Sequence, residues 1–204
     1  WEKNPSLLEV LEDFNEAMAR AGALVIHYRA HFVKRLQEAA PPIHRDFSGG
    51  GEELGLTYTT VSNIPDPLAS PKELLPLLLD HQARHKQAEL DSRQCLSGPH
   101  KDDLLVDING LSAKTYGSQG QTRTAALSLK LAQREIFQAE TEEWPVLLLD
   151  DVLSELDEGR QQLLMESMKD CQCFLTCTSL EGLKRAGLGN MKVFRCKGGE
   201  MLPE

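Results

Sequence analysis

The chain has 204 residues, of which 41% are hydrophobic and 26% are charged, a balance typical of a globular protein with one large domain or two small ones. The formal net charge of −9 excludes a global basic field that would attract nucleic acid, so any DNA contact must come from a local patch or from residues outside this chain. No apolar run approaches the ~20 residues of a membrane-spanning helix. Five cysteines without the spacing of a disulfide framework indicate a reducing compartment, so a cytoplasmic protein is expected.

The first part of the chain is predicted to be mostly helical. Apolar residues recur at helical spacing over 6–40, with Ser6 as a plausible N-cap, and the pair Pro41-Pro42 is expected to end this helix. The alternating segment 54–61 predicts a strand. After a proline-rich loop, a second helix is expected over residues 72–91.

The pattern changes near residue 97. Residues 103–116 predict a hairpin with an Asn109-Gly110 turn. Strands are then predicted over 146–150, 172–177 and 191–196, and helices over 122–141, 158–169 and near 180–186. Helices alternating with apolar strands predict an α/β layer with parallel strands. We therefore expect two domains, a mostly helical arm over 1–97 and an α/β lobe over 98–204.

One predicted strand ends in two adjacent acids. Residues 146–157 read VLLLDDVLSELD, so a continuous apolar run leads directly into Asp150 and Asp151. Such a run is typical of a parallel strand buried on both faces, and ligands bind at the carboxyl ends of parallel strands. A carboxylate there could hold Mg²⁺, and a second could orient or deprotonate a water. The alternative is that Asp150 and Asp151, or Ser154 or Asp157, cap the next helix.

A second stretch predicts a phosphate-facing loop. The segment GSQGQTRTAALSLKLA, residues 117–132, places Gly117, Ser118 and Gly120 directly before or within the start of an apolar helix. The free amides and the positive end of a helix dipole attract phosphate. The alternative is a tight turn capped by Ser118. The loop has no lysine, so it is not a Walker A loop. The whole sequence contains no Gly-Lys dipeptide, which the Walker A motif requires.

Three clustered cysteines leave a further alternative open. Cys171, Cys173 and Cys177 are close enough to suggest a metal site. They flank an apolar strand and have no companion Cys or His pair at zinc-finger spacing, so buried thiols are favoured over zinc.

In this order, the motifs resemble those of an ABC-type ATPase head. The loop at 118–121 matches the signature motif, the strand ending at Asp150 matches Walker B, and SELD at 154–157 matches the D-loop. The segments GPHKDD (98–103), YGSQGQ (116–121) and LLLDDVLSELD (147–157) together resemble the RecF family of bacterial recombination-repair ATPases. The resemblance implies the C-terminal lobe of an ATPase head, preceded by a helical arm and lacking the Walker A lobe.

The resemblance also implies roles for the acids. Asp150 would help to bind Mg²⁺. Asp151 stands where many ABC-type heads carry a catalytic glutamate, and this position implies that it is the general base. Its side chain is one methylene shorter than glutamate, which is a departure from the family pattern. Where a switch histidine is expected, FLTCTS offers Thr178 as the γ-phosphate sensor.

The remaining implied roles lie at a dimer interface. There, one protomer would contact the ATP bound by the other, and hydrolysis would release the dimer. The residues given this role are Ser118, Gln119, Gly120 and Gln121 for nucleotide binding, and Ser154 and Asp157 at the seam.

The family further implies binding at gapped or double-stranded DNA, cooperation with RecR and RecO, support of RecA loading and a place in the SOS response. For this chain alone, no ATP turnover is expected. A non-enzymatic α/β interaction module with a degenerate nucleotide site remains the alternative. Basic clusters on both arm helices could touch DNA, but a solvated helix face is favoured because acids precede the first cluster. The sequence offers no physical reason for His100-Lys101.

Overall fold

The computed structural model describes residues 6–60, 64–180, 183 and 191–203. The chain forms two compact units, Trp1–Ile136 and Phe137–Glu204. The division falls later than residue 97 because a strand before that position pairs with a strand after it. The boundary near residue 97, which separates the arm from the motif-bearing lobe, stays a prediction.

The first unit contains two long helices, a small sheet and the start of a third long helix. In chain order its elements are α1 (Ser6–Phe47), β1 (Leu54–Thr59), α2 (Pro71–Ser92), a 3-10 turn (Pro99–Lys101), β2 (Asp103–Ile108), β3 (Leu111–Ser112), α3 (Ala113–Tyr116) and α4 (Gln119–Thr141). Helix α4 continues across the division into the second unit. It begins at Gln119 rather than at the predicted residue 122, because Ser118 caps it as described below.

The prediction that Pro41-Pro42 ends α1 is wrong. Both prolines lie inside the helix, which continues to Phe47. A proline removes one backbone hydrogen bond and crowds the preceding turn, but the extra turns bury His44 and Phe47. The chain leaves the helix after Phe47, and the following Gly49 and Gly50 have φ angles of 69° and 82°, which suit a left-handed C-terminal cap.

The sheet of the first unit is antiparallel, with the order β1-β2-β3. Leu54 pairs with Ile108 at one end of β1 and Thr59 pairs with Asp103 at the other. The predicted hairpin turn is confirmed: Asn109 and Gly110 have φ angles of 53° and 75°, as a type I′ turn requires. The second arm of the hairpin is shorter than predicted, because α3 begins directly after Ser112.

Helix α1 contributes to two apolar clusters. Near its C-terminal end, Leu36 and Ala40 join a cluster with the sheet and α4, whose other members are Leu54, Leu56, Ile108, Ala113, Ala125, Ala132 and Ile136. Nearer its N-terminal end it joins α2 in a cluster of Ala19, Ala23, Ile26, Ile64, Leu74 and Leu78. Through Ala125, Ala132 and Ile136, the first cluster packs α4 against α1 and the sheet.

The second unit is smaller. Its elements are the end of α4, β4 (Leu147–Leu149), a 3-10 turn (Val152–Glu155), α5 (Glu158–Ser167), β5 (Cys173–Leu175), β6 (Phe194–Lys197) and β7 (Glu200–Pro203). Strands β4 and β5 are parallel, as predicted. Strands β6 and β7 form an antiparallel hairpin whose second strand the sequence did not predict. The helix predicted near 180–186 lies outside the described residues except for Leu180 and Leu183.

The expectation that the acid-tipped strand is buried on both faces is wrong. Leu149 is 6% exposed, whereas Leu148 is 73% exposed and Phe174 on the paired strand is 59% exposed. Successive side chains of a strand point to opposite faces, so one face of β4 and β5 is covered and the other is open in this chain. Among the described residues, no helix is both long and apolar enough to cross a membrane.

The packing between α1 and α2 gives a stability prediction. Leu78 on α2 is 1% exposed, while its neighbour Leu77 is 39% exposed. Leu78→Ala leaves a cavity, so we expect it to lower the free energy of unfolding by about 2–5 kcal/mol. Leu77→Ala should cost less than about 1 kcal/mol. Urea denaturation of both variants checks this, and equal losses would show that the cluster does not support the arm.

Candidate functional site

The candidate site residues lie in two separate places. The loop residues 118–121 belong to the first unit, and the acids 150 and 151 belong to the second. Each group has its own local geometry.

A reciprocal pair of hydrogen bonds fixes the loop before α4. The Gln121 backbone N–H donates to Ser118 Oγ at 3.2 Å, and the Ser118 backbone N–H donates to Gln121 Oε1 at 2.9 Å. This arrangement is a capping box, in which Ser and Gln satisfy two helix-end amides. The alternative that Ser118 caps a tight turn is therefore correct as a description of local structure.

The capping role leaves Ser118 able to bind a ligand. Its hydroxyl oxygen accepts the bond from Gln121, and a hydroxyl also carries one proton to donate. Ser118, Gln119 and Gly120 are exposed. The first amides of a helix have no intrahelical carbonyl partner, and the helix dipole favours negative charge there. The amides of Gln121 and Thr122 are already bonded to Ser118. The helix start can therefore present one hydroxyl and the backbone amides of Gln119 and Gly120 to an anion.

The two glycines of the loop have different roles. A Cβ at Gly117 would lie 2.5 Å from the Ala113 carbonyl oxygen, so packing requires glycine at this position. At Gly120, a Cβ would meet no described atom within 4 Å beyond the helix's own backbone. The fold of the described residues therefore does not explain Gly120, whereas close approach of a bound group would.

At the end of β4, one threonine holds both acids. Thr176 Oγ1 donates to Asp150 Oδ1 at 2.5 Å and accepts from the Asp151 backbone N–H at 2.9 Å. The Thr176 backbone N–H donates to the Leu149 carbonyl at 2.9 Å. Because β4 and β5 are parallel with Leu149 opposite Leu175, Asp150 and Thr176 leave the sheet side by side.

Sequence analysis missed Thr176, because it was placed inside the predicted strand 172–177. β5 ends at Leu175. The useful signal was a hydroxyl residue directly after the strand that neighbours the acid-tipped strand. Thr178, the predicted sensor, is exposed.

Asp151 has a left-handed backbone, with φ 50° and ψ 23°, at the start of the 3-10 turn. Within the described part of the chain, its side chain makes no capping hydrogen bond there. Asp157 instead caps α5, accepting from the Arg160 N–H at 3.0 Å. Ser154 Oγ donates to the Asp151 carbonyl at 2.9 Å. The carboxylates of Asp150 and Asp151 are thus exposed and free of helix-capping duty.

The donor set at this strand end fits a hard cation. Two exposed carboxylates and one hydroxyl offer only oxygen, which Mg²⁺ prefers while it keeps several waters. In the described residues, no three His, Cys, Asp or Glu side chains cluster as a ready-made metal cage. Asp150, with Asp151 beside it, could therefore contribute to a Mg²⁺ site that other ligands complete.

The cysteines near β5 behave as thiols. Burial, together with the nearby Cys171, raises the pKa of Cys173 to about 11. Its Sγ lies 3.3 Å from Met168 Sδ, and Cys171 Sγ lies 3.8 Å from the Met168 carbonyl oxygen. Since zinc binds the thiolate form, the raised pKa favours a thiol at Cys173 over a zinc ligand. Cys171, Cys173 and Cys177 are half-buried and not fully buried as expected.

The GPHKDD segment has a structural role in the first unit. Asp102 accepts a hydrogen bond from the Tyr58 hydroxyl at 2.5 Å, and the Pro99 carbonyl accepts one from Arg29 Nη1 at 2.5 Å. Burial and the Asp102 carboxylate raise the pKa of Tyr58. These bonds fasten the 3-10 turn to α1 and β1, while His100 and Lys101 remain exposed.

Several basic side chains of the arm pair with acids. Arg20 contacts Glu16 at 2.5 Å, Lys86 contacts Glu12 at 2.9 Å, and Arg84 contacts Asp80. These exposed pairs contribute little to stability. They do reduce the net positive charge that the arm presents, which favours the solvated-face interpretation.

Known proteins were compared with the chain in sequence and in structure. No protein-family model matches the chain. The DNA replication and repair protein RecF of Staphylococcus epidermidis is 42% identical over 194 residues, which are 95% of this chain and 52% of that protein. RecF of Clostridium tetani is 36% identical over 189 residues, 93% of this chain and 51% of that protein.

Solved structures agree with these relatives. The recombination mediator protein RecF-ATP in the RecFOR pathway matches with a TM-score of 0.80 and 31% identity, over 99% of this chain and 53% of that one. The RecF-ATPrS structure matches with a TM-score of 0.81 over 96% of this chain and 50% of that one. The chain thus spans about half the length of the curated relatives that it matches.

The threonine clamp gives a prediction with a matched control. Thr176→Val removes the hydrogen bonds to Asp150 and Asp151 at almost constant volume, so we expect it to lower the free energy of unfolding by about 1 kcal/mol. Thr178→Val should change it by less than about 0.5 kcal/mol. Chemical denaturation of the two variants measures the difference. Equal midpoints would show that the clamp does not hold the strand end.

The raised pKa of Cys173 predicts slow alkylation. At pH 8 only about one Cys173 thiol in a thousand is ionised, so iodoacetamide should modify it far more slowly than the exposed Cys95 and Cys196. Its rate should rise about tenfold per pH unit up to pH ~11 while the chain stays folded. Mass spectrometry of the alkylated peptides checks this, and equal rates at pH 8 would contradict it.

Proposed function

We infer that the chain belongs to the RecF family, since it is 42% and 36% identical to two RecF proteins of which it spans about half the length. We propose that it supplies half of the nucleotide site of an ATP-dependent, DNA-binding recombination-repair protein. In this proposal the first unit provides the signature loop, and the second provides the magnesium-binding acid, the general base and the D-loop. The whole protein works in the cytoplasm, in DNA replication, recombination repair and the SOS response.

The observation that carries the proposal is the helix start at Ser118. It combines an exposed hydroxyl with a proton to donate, exposed first-turn amides and a glycine that the described packing does not require. In the proposed dimer, Ser118, Gln119 and Gly120 of one protomer face the γ-phosphate of the ATP bound by the other. Gln121 completes the loop. These donors can stabilise a negatively charged group without any reorganisation.

The acids at the end of β4 take the remaining chemical roles. Asp150, oriented by Thr176, would contribute oxygen to Mg²⁺, and Asp151 would accept a proton from the attacking water. The Mg²⁺ ion, when bound with ATP, supplies positive charge that offsets the negative charge of the phosphates. Ser154 and Asp157 lie at the dimer seam, and Thr178 remains the proposed sensor. Because the chain contains no Gly-Lys dipeptide, it turns over no ATP alone.

Further proposals concern the partners. ATP closes a homodimer on gapped or double-stranded DNA, hydrolysis opens it, and the closed form cooperates with RecR and RecO to support RecA loading. The relatives named above are replication and repair or recombination mediator proteins, and one solved relative carries ATP in its name, which supports this assignment.

The alternative function is a non-enzymatic interaction module with a degenerate nucleotide site. The capping bonds of Ser118 and Asp157 favour it, since both residues have a structural use without a nucleotide. A variant that distinguishes the two functions must therefore obstruct the approach of ATP to the loop and keep the helix-capping hydrogen bonds of Ser118 and Asp157.

Gly120→Ala is such a test in the full-length protein that carries this chain. The methyl group enters open space, and alanine favours a helix over glycine by about 1 kcal/mol, so folding should not suffer. We expect the ATP concentration for half-maximal dimerisation, measured by analytical ultracentrifugation, to rise at least ~10-fold because the methyl group blocks close approach. Lys130→Ala on the exposed side of α4 is the control. Unchanged dimerisation in Gly120→Ala would favour the interaction module.

A further inference from the structure

We propose that Glu52 is a positioning residue for the loop Ser118–Gln121, and that His44 behind it connects this loop to the end of the arm helix α1. The inference rests on the proposed function, because it gives these residues an effect on ATP-dependent dimerisation without any contact with ATP.

Glu52 joins the loop to α1 through its two carboxylate oxygens. Oε1 accepts from Gln121 Nε2 at 2.9 Å, and Oε2 lies 3.1 Å from His44 Nε2. Glu52 follows the glycines that end α1 and precedes β1, so it lies between the arm helix and the sheet. The contacts form a His44–Glu52–Gln121 bridge between residues distant in sequence.

The bridge selects one orientation of the Gln121 amide. Its Oε1 accepts from the Ser118 N–H, while its Nε2 donates to Glu52. A carboxylate can only accept hydrogen bonds, so Glu52 requires the nitrogen of Gln121 to face it. The oxygen then faces Ser118, as the capping box requires. Loss of the Glu52 acceptor removes one of the two hydrogen bonds that fix this orientation and leaves only the bond from Ser118.

His44 anchors the other end of the bridge. Its side chain is fully buried, and its Nε2 must carry a proton to donate to Glu52. Its Nδ1 lies 3.4 Å from Ser128 Oγ on α4, and this hydroxyl donates to the Thr124 carbonyl at 2.8 Å. One histidine in the last turn of α1 therefore contacts both Glu52 and the third turn of α4.

This connection gives the arm a physical route to the nucleotide loop. His44 lies on the last turn of α1, which the prolines failed to interrupt. A displacement of that turn would move Glu52 relative to Gln121 and weaken the capping box that orients Ser118. The bridge thus couples the position of the arm helix to the readiness of the loop for ATP.

The test uses Glu52→Gln in the full-length protein, with Glu53→Gln as the matched control. Glu53 is exposed, and Gln keeps the shape of Glu in both variants. An amide at 52 can accept from one neighbour but turns an N–H toward the other. We expect the ATP concentration for half-maximal dimerisation to rise about tenfold in Glu52→Gln and to stay unchanged in Glu53→Gln. The affinity of the monomer for a fluorescent ATP analogue should be equal in all forms.

A second measurement does not depend on ATP. Hydrogen–deuterium exchange of residues 118–122 in the full-length protein should be faster in Glu52→Gln than in the wild type and in Glu53→Gln. If Glu52→Gln changes neither the exchange nor the dimerisation while Gly120→Ala still impairs dimerisation, the positioning role is wrong and the proposed function stands. If Gly120→Ala has no effect on dimerisation, the proposed function itself is wrong. If Glu52→Gln speeds the exchange but leaves dimerisation unchanged, Glu52 has a structural role only.

Discussion

The burial of α1 is the interaction on which the first unit depends. One helix contributes apolar side chains to two clusters, one with α2 and one with the sheet and α4. Each fully buried large aliphatic side chain stabilises the fold by about 1.5–3 kcal/mol, so a helix with side chains in both clusters connects them energetically. The last turn of the same helix carries His44, whose buried polar side chain lies between Glu52 and Ser128 of α4. The geometry of the candidate nucleotide loop therefore depends on the packing of an arm helix distant from it in sequence.

Structural and functional roles coincide at the candidate site residues. Ser118 caps α4 and still has a proton to donate. Asp150 receives a hydrogen bond from Thr176 and still exposes carboxylate oxygen. A group that is held by one bond and free at another atom is preorganised, because little entropy is lost when a ligand binds it. In the described residues the loop and the acids are both held in this way, as the proposed nucleotide role requires.

Parts of the fold could be predicted because local rules dominate there. Asn109-Gly110 forms the expected turn, since both residues tolerate the positive φ that a type I′ hairpin requires. The parallel pairing of β4 and β5 followed from apolar strands alternating with helices. The prediction that Pro41-Pro42 ends α1 was wrong because it considered only the local cost of proline inside a helix. The burial of His44 and Phe47 in the following turn offsets that cost. Strand β7 was missed because its described residues are exposed, so no apolar periodicity marked it.

The sequence by itself determined the class of the protein and the identity of its candidate chemical groups. A serine and two glycines before an apolar helix, and two acids after an apolar strand, are local patterns whose chemistry depends on residue type and order. Only the tertiary structure decided how these groups are supported. Thr176, directly after β5, donates a hydrogen bond to Asp150, directly after β4. Glu52, in the connection between α1 and β1, accepts one from Gln121 in α4. These contacts join residues 26 and 69 positions apart in the sequence. Sequence patterns miss them because the packing of distant segments leaves no local periodicity.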